Sequence, residues 1–289
     1  MTTTLATELG AERRICASRA NLNFDWREVW AYRDLLLLLV RRDFVAKYKQ
    51  TVLGPIWFVV QPTLMTLVFT LVFDRVANLS TDGLPAPLFY MSGLLGWNYF
   101  SSTFGAVGST FLGNMHLFSK VYFPRIIVPL SIVISNLLTF LVQSATFAVF
   151  FAYFKLFTNP SQSFEISYYL LLFPCVVLQA MALSLGVGLC VASITAKYRD
   201  LVHVLGVLSQ VWMYATPIIY PMSKVPSEWR WVLALNPMTG IVESFRYMLL
   251  GRATLSWAVT SSSLVLTAAA LFLGLLCFRR VERTVVDFA

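Results

Sequence analysis

Charge is what this sequence has least of. Only 12% of its 289 residues are Asp, Glu, Lys or Arg, against roughly a quarter in an average soluble domain. With 58% hydrophobic residues, such a chain is expected in a lipid bilayer rather than as a soluble domain with a polar coat. Its long apolar runs hold no Asp, Glu or Lys. An intramembrane acid–base pair or proton relay therefore has no residues to work with. His116 and His203 stand at the ends of apolar runs and give little ground for catalysis. Cys16, Cys175, Cys190 and Cys277 are scattered without metal-ligand spacing, so they are read as packing residues, with no metal site. No GxxxxGK[ST] loop occurs, which excludes that way of cradling nucleotide phosphates. No catalytic residue and no cofactor is expected in this chain. Residues 1–24 include Glu8 and Glu12 and lack an apolar core, so a flexible cytoplasmic tail is expected there instead of a cleaved signal peptide.

What is present is six charge-free runs, at 54–73, 84–115, 126–154, 166–196, 201–223 and 253–278. Each reaches the roughly 20 residues a helix needs to cross the hydrocarbon. The expected fold class is all-α integral membrane, one domain over 25–289 with six transmembrane helices at about 54–74, 88–112, 126–154, 168–193, 202–221 and 256–278. With both termini in the cytoplasm, sixteen of the 22 Lys and Arg fall on the cytoplasmic side, as the positive-inside bias requires. The net charge of +8 then reflects topology, and no nucleic-acid partner is expected.

Ahead of the first span, residues 26–45 read as an amphipathic interfacial helix. Trp26, Trp30, Leu37, Val40 and Phe44 approximate one face, with Arg27, Arg33, Arg41, Arg42, Lys47 and Lys49 around it. It is either a plain anchor among headgroups or a docking surface for a partner protein. In the second span Tyr90, Trp97, Phe104 and Phe111 recur every seven residues, and Ser101, Gly105, Ser109 and Gly113 every four. The fourth repeats the small-residue device at Ala180, Ser184, Gly188 and Ala192. Such stripes let another helix approach closely, so both helices are expected to be buried packing elements. The third span carries a polar seam at Asn136, Thr139, Gln143 and Thr146, which either bonds across helices or lines a substrate path. The aromatic stripe likewise suits packing or a surface for sugar rings.

Past the fifth span, Pro217 and Pro221 disrupt the helix, Ser227 is placed to cap a new one, and Asn236-Pro237 separates it from another ending near Leu250. Two short outer re-entrant helices over 227–250 are expected to form a lid, with Glu243 and Arg246 paired at i,i+3. The alternative is an outer loop resting on headgroups.

Six ordered blocks, RDFVAKYKQTVLGPIWFVVQP (42–62), GLLGWNYF (93–100), KVYFPRIIVP (120–129), KYRD (197–200), TPIIYP (216–221) and LNPMTGIVESFR (235–246), resemble the membrane subunit of type-2 ABC exporters of polysaccharides such as O-antigen, capsule and teichoic acid. The resemblance implies a homodimer in the bacterial cytoplasmic (inner) membrane with two separate nucleotide-binding subunits that carry ATP and Mg. A lipid-linked glycan of the undecaprenyl-diphosphate type would pass between the protomers. It further implies that 114–125 forms a coupling helix docked on the ATPase, through Asn114, His116, Lys120, Tyr122, Phe123, Pro124 and Arg125. Arg41, Arg42, Lys47 and Lys49 would attract the diphosphate. Tyr90, Trp97, Phe100, Phe104, Asn136, Gln143 and Tyr214 would line the glycan channel, and Pro217, Tyr220, Pro221, Trp229, Trp231, Glu243 and Arg246 would form the outer gate. An exporter of drugs or small lipids, or a membrane scaffold, remains a different class of expectation.

Overall fold

A computed structural model describes residues 26–120, 123–158, 167–251 and 256–284, and its regular structure is helical throughout. The chain begins with α1 (Trp26–Ala31) and α2 (Arg33–Ala46), separated at Tyr32. Next come α3 (Trp57–Phe69), α4 (Ala86–Gly108), two short helices α5 (Thr110–Gly113) and α6 (Met115–Lys120), and α7 (Ile127–Tyr153). The rest is α8 (Phe173–Thr195), α9 (Leu201–Tyr214), α10 (Ser227–Ala234), α11 (Pro237–Leu250) and α12 (Trp257–Thr284).

Four stretches are long and apolar enough to cross a membrane: Gly54–Val76, Ile127–Phe157, Tyr168–Thr195 and Trp257–Glu282. The two other expected spans take different forms. α4 runs for 23 residues without a charge, but its Gly, Ser, Asn and Tyr content lowers its hydropathy. α9 has only 14 residues and stops at Tyr214, short of the expected limit at 221, because the chain turns through Thr216 into Pro217. There the Thr216 hydroxyl donates to the Trp212 carbonyl at 2.8 Å, and proline cannot donate onward.

α4 is the centre of the bundle, in contact with α3, α7, α8, α9 and α11. Glycine makes this possible. A Cβ at Gly96 would lie 2.8 Å from the Phe245 ring of α11, and one at Gly188 of α8 would lie 2.7 Å from Val107. The expected stripe Ala180, Ser184, Gly188, Ala192 is buried, with Gly188 on α4. A second close approach was not anticipated: Gly186 and Gly274 bring the α8 and α12 backbones together, so that a Cβ on Gly186 would sit 2.5 Å from the Leu271 backbone. The matching stripe on α4 and α5 behaves differently, since a Cβ at Gly105 or Gly113 would meet nothing within 4 Å.

α2 lies along α7. Leu39 is buried with Phe123, Ile127 and Val128, with Leu35 and Leu36 at the edge of that cluster. Trp30, Leu37 and Leu38 face outward, each more than 60% exposed. The expected apolar face is divided, with Trp30 and Leu37 outward and Val40 buried. Five consecutive leucines leave the helix apolar all round, and periodicity cannot select a side.

Candidate functional site

The end of the bundle that carries Arg42, Lys47 and Arg125 holds a polar cleft of about 240 Å³ between α2, the α4–α5 junction and α7. It is lined by Arg42, Asp43, Lys47, Ser109, Asn114, Ser135 and Asn136, among others. The Lys47 stem is largely open to its surroundings, but its ammonium reaches inward and donates to Asn136 Oδ1 at 2.5 Å and to Thr139 Oγ1 at 3.3 Å. Asn136 Nδ2 donates in turn to Thr103 Oγ1 at 3.0 Å. Burial lowers the Lys47 pKa, while the nearby Asp43 carboxylate opposes the shift. Asp43 pairs with Arg42 at 2.7 Å and accepts from Ser131 Oγ at 3.4 Å. The Arg42 guanidinium also reaches Asn114 Oδ1 at 3.5 Å. Ser135 Oγ is buried with no hydrogen-bond partner. Two cations against one carboxylate, with amides and a spare hydroxyl, make a cleft able to hold an anionic or hydroxyl-bearing group.

Of the four expected diphosphate ligands, the structure brings Arg42 and Lys47 into this cleft. Arg41 and Lys49 lie instead on an open groove with Leu38, Val45 and Ala46, which Arg42 also borders. The i, i+1 step between residues 41 and 42 swings their side chains about 100° apart around the helix. The polar seam of α7 is divided as well: Asn136 and Thr139 meet Lys47, Thr146 bonds back to Val142 O, and Gln143 is half-buried. Asp43, Thr103, Ser131 and Ser135 were missed by sequence reasoning. Ser135 and Ser131 lie one and two turns from Thr139 on α7, so extending the seam toward the basic end would have found them.

The elbow between α6 and α7 departs from expectation in its side chains. Phe123, expected to fill an ATPase cleft, is 5% exposed and packs on α2 and α7 instead. Its place after the turn points it at the Leu39 cluster. Arg125 donates its backbone N–H to Glu282 Oε1 at 3.1 Å and its guanidinium to the Glu282 carbonyl, and the guanidinium also lies over the Phe118 ring at 5.8 Å. It is thus held by the end of α12, not projected outward. Pro124 is half-buried, and Asn114 belongs to the polar cleft. Tyr122 and the side chains of His116 and Lys120 lie outside the described residues.

At the opposite end, α11 starts at Asn236, whose side-chain oxygen accepts from Met238 N and from Trp212 Nε1, and ends at Gly251 with φ 68°. The Asn236 amide nitrogen donates to Ala215 O and Thr216 Oγ1. One residue thereby caps α11 and ties it to the end of α9. Ser227 is the first residue of α10 and makes no cap bond; Pro226 precedes it. Glu243 and Arg246 form the expected pair at 2.6 Å, with side chains 5% and 2% exposed. Arg246 also donates to Pro217 O at 3.0 Å and sits 3.9 Å over the Phe89 ring. Burial raises the Glu243 pKa, and Arg246 opposes the rise. Pro221 is buried and Tyr220 is half-buried, whereas Trp229 and Trp231 on α10 project outward.

The expected channel rings are placed in the core. Tyr90, Trp97, Phe100 and Phe104 are at most 4% exposed, and Phe100 stacks on Phe104 and meets Trp212 edge-on at 4.9 Å. They pack α4 against different neighbours: Phe100 and Phe104 meet Trp212 of α9, while Tyr90 meets Phe69 at the end of α3 and Phe73 just beyond it. Tyr214 alone among the expected channel aromatics is exposed.

These features define a multi-pass helical membrane protein with a basic polar cleft, and, among the described residues, no cluster that could hold a metal ion. The chain belongs to the ABC-2 type transporter family, whose model matches residues 34–250. It is 34% identical over 223 residues to the O-antigen export system permease protein RfbA of Myxococcus xanthus, covering 76% of this chain and 82% of that protein. A Klebsiella pneumoniae O-antigen export system permease protein RfbA is 25% identical over 74% of this chain and 79% of its own length. The Escherichia coli polysialic acid transport protein KpsM is 24% identical over 86% of this chain and 93% of its own.

Proposed function

We propose that this chain is the transmembrane subunit of an ATP-driven exporter that moves a lipid-linked polysaccharide across the bacterial inner membrane. The observation that carries the reading is the 34% identity to an O-antigen export permease across 82% of that protein. The subunit works as a homodimer of six-span protomers, with α4 and α9 supplying the two less apolar or shorter crossings. Two separate nucleotide-binding subunits bring ATP and Mg and press on residues 114–125. The basic end is cytoplasmic and both termini lie there. Arg42 and Lys47 meet the diphosphate of the lipid carrier at the polar cleft, with Arg41 and Lys49 drawing it in from the lipid surface, where cations favour phosphate. The buried rings of α4 hold the subunit together, and the buried pair Glu243–Arg246 with Pro217 latches the outer gate.

Deleting the gene should abolish surface glycan while glycan accumulates on its lipid carrier inside, and a tagged chain should co-purify with an ATPase subunit. Full surface glycan in the deletion strain would overturn the reading; loss of a drug-resistance phenotype instead would move the substrate to small molecules.

A further inference from the structure

Two of the three free cysteines among the described residues meet at one place, the contact between α8 and α12. Along that contact Gln179 Nε2 donates to Ser263 Oγ at 2.8 Å, the Gly186 and Gly274 backbones touch, and the Cys190 thiol lies within bonding reach of the Cys277 thiol. Residue numbers rise together on both helices, so the two run parallel. Each cysteine stands about one turn beyond the glycine of its own helix. Leu189 and Phe278 are buried beside the pair, with Leu185 and Leu275 at the edge of the same cluster. Both thiols are half-buried, which leaves them open to a small reagent dissolved in the bilayer.

A disulfide needs its two Cα atoms within about 7 Å and its side chains aimed at each other. The glycine contact supplies the first condition, because no side chain holds the backbones apart there and the parallel course keeps them close for the next turn. The facing thiols supply the second. We propose that Cys190 and Cys277 are a dithiol site that closes to an intrachain disulfide when it meets a lipid-soluble two-electron oxidant of the quinone class. Two S–H bonds break and one S–S bond forms, while two protons and two electrons pass to the quinone, which leaves as the quinol. The site is independent of what the protein exports. It closes a long loop that contains α9, α10 and α11, the arrangement in which a cross-link restricts the unfolded chain most. Backbone against backbone at Gly186 and Gly274 leaves these helices no side chain to yield, so the bond strengthens a fixed joint. Through α12 it also braces Glu282, which holds Arg125.

The test uses the unsubstituted full chain in isolated membranes. After treatment with a short-chain benzoquinone and alkylation of the remaining thiols, peptide mass spectrometry should find Cys190 joined to Cys277 within one chain. Cys175, exposed at the start of α8, should be recovered alkylated or as a quinone adduct. The oxidised chain, purified in detergent, should melt about 5 °C or more above the untreated one, and dithiothreitol should remove the gain. Cys190→Ala and Cys277→Ala should each melt close to the untreated chain and show no gain on oxidation. Recovery of both Cys190 and Cys277 as alkylated thiols or quinone adducts would overturn the site. A Cys190 or Cys277 bond formed mainly between two chains would overturn it as well, by placing these thiols on an outer face of the bundle.

Discussion

Arg125 and Glu282 clasp each other twice across 157 residues, backbone N–H to carboxylate at 3.1 Å and guanidinium to backbone carbonyl. The elbow that leads into α7 is thereby fastened to the far end of α12, and Phe123 fastens it to α2. Force applied at the elbow must move three helices together. Glu282→Ala removes the acceptor of the part-buried Arg125 N–H and should cost about 1 kcal/mol, the usual net worth of one intramolecular hydrogen bond. Thermal denaturation in detergent measures the loss. Export should fall further than folded protein does, and equal falls would reduce the clasp to a stability element.

A second prediction concerns the outer latch. Removing one member of a buried ion pair strands the other, at a cost of about 3–5 kcal/mol. Glu243→Gln leaves Arg246 still bonded to the Pro217 carbonyl, so Arg246→Met should be the more damaging change. The Glu243→Leu, Arg246→Met double variant should be more stable than the sum of its parts implies, as a double-mutant cycle on unfolding temperatures would read. Additive losses would mean that the pair is not coupled.

Much of this architecture is legible in the sequence, and the failures have physical causes. Runs free of charge mark α3, α7, α8 and α12 to within a few residues, since length and hydropathy are what the bilayer selects. Asn236-Pro237 and Gly251 bracket α11 because capping is local chemistry. The Leu35–Leu39 run hides which side of α2 faces inward. Trp97 and Phe104 look the same in sequence whether they line a path or fill a core, and only the position of α9 and α11 decides it. Stripes of small residues were read alike on α4 and α8, yet Gly188 meets Val107 and Gly105 meets nothing.

That last contrast makes a third prediction. Gly274→Ala would drive a Cβ into the Gly186 backbone, and Gly186→Ala would do the same to Leu271. Each should destabilise by more than the roughly 1–3 kcal/mol typical of overpacking, because backbone cannot step aside as a side chain can. Gly105→Ala should instead be neutral or gain up to about 1 kcal/mol of helix propensity. Comparing melting temperatures of the three variants checks the packing directly, and equal effects would contradict it.

A fourth prediction separates rings that pack from rings that project. Trp97→Ala and Phe104→Ala each empty a filled core site and should cost about 3–5 kcal/mol. Trp229→Ala and Trp231→Ala, whose rings project from α10, should leave the unfolding midpoint almost unchanged. Export per folded molecule is the discriminating readout. It should survive in whatever fraction of the Phe104 variant still folds, and a folded Phe104 variant that cannot export would restore the ring to the transport path.

The fifth prediction turns on Lys47, which ties the end of α2 to α7 and borders the cleft. Its bond to Asn136 is charge-assisted, a kind worth about 1.5–3 kcal/mol, with the lower end appropriate because the lysine is partly open to water. Lys47→Met keeps the apolar stem but loses that bond and one of two positive charges, leaving Arg42 neutralised by Asp43. Binding of a short-chain polyprenyl diphosphate to the purified protein should therefore weaken strongly, and raised salt should add little further loss. Arg41→Met removes a cation from the outer groove, where ions screen freely. Its effect should be smaller and should fade as salt rises. If the two variants lose equal affinity with the same salt dependence, the diphosphate is held by diffuse surface charge, and the polar cleft has no special claim on it.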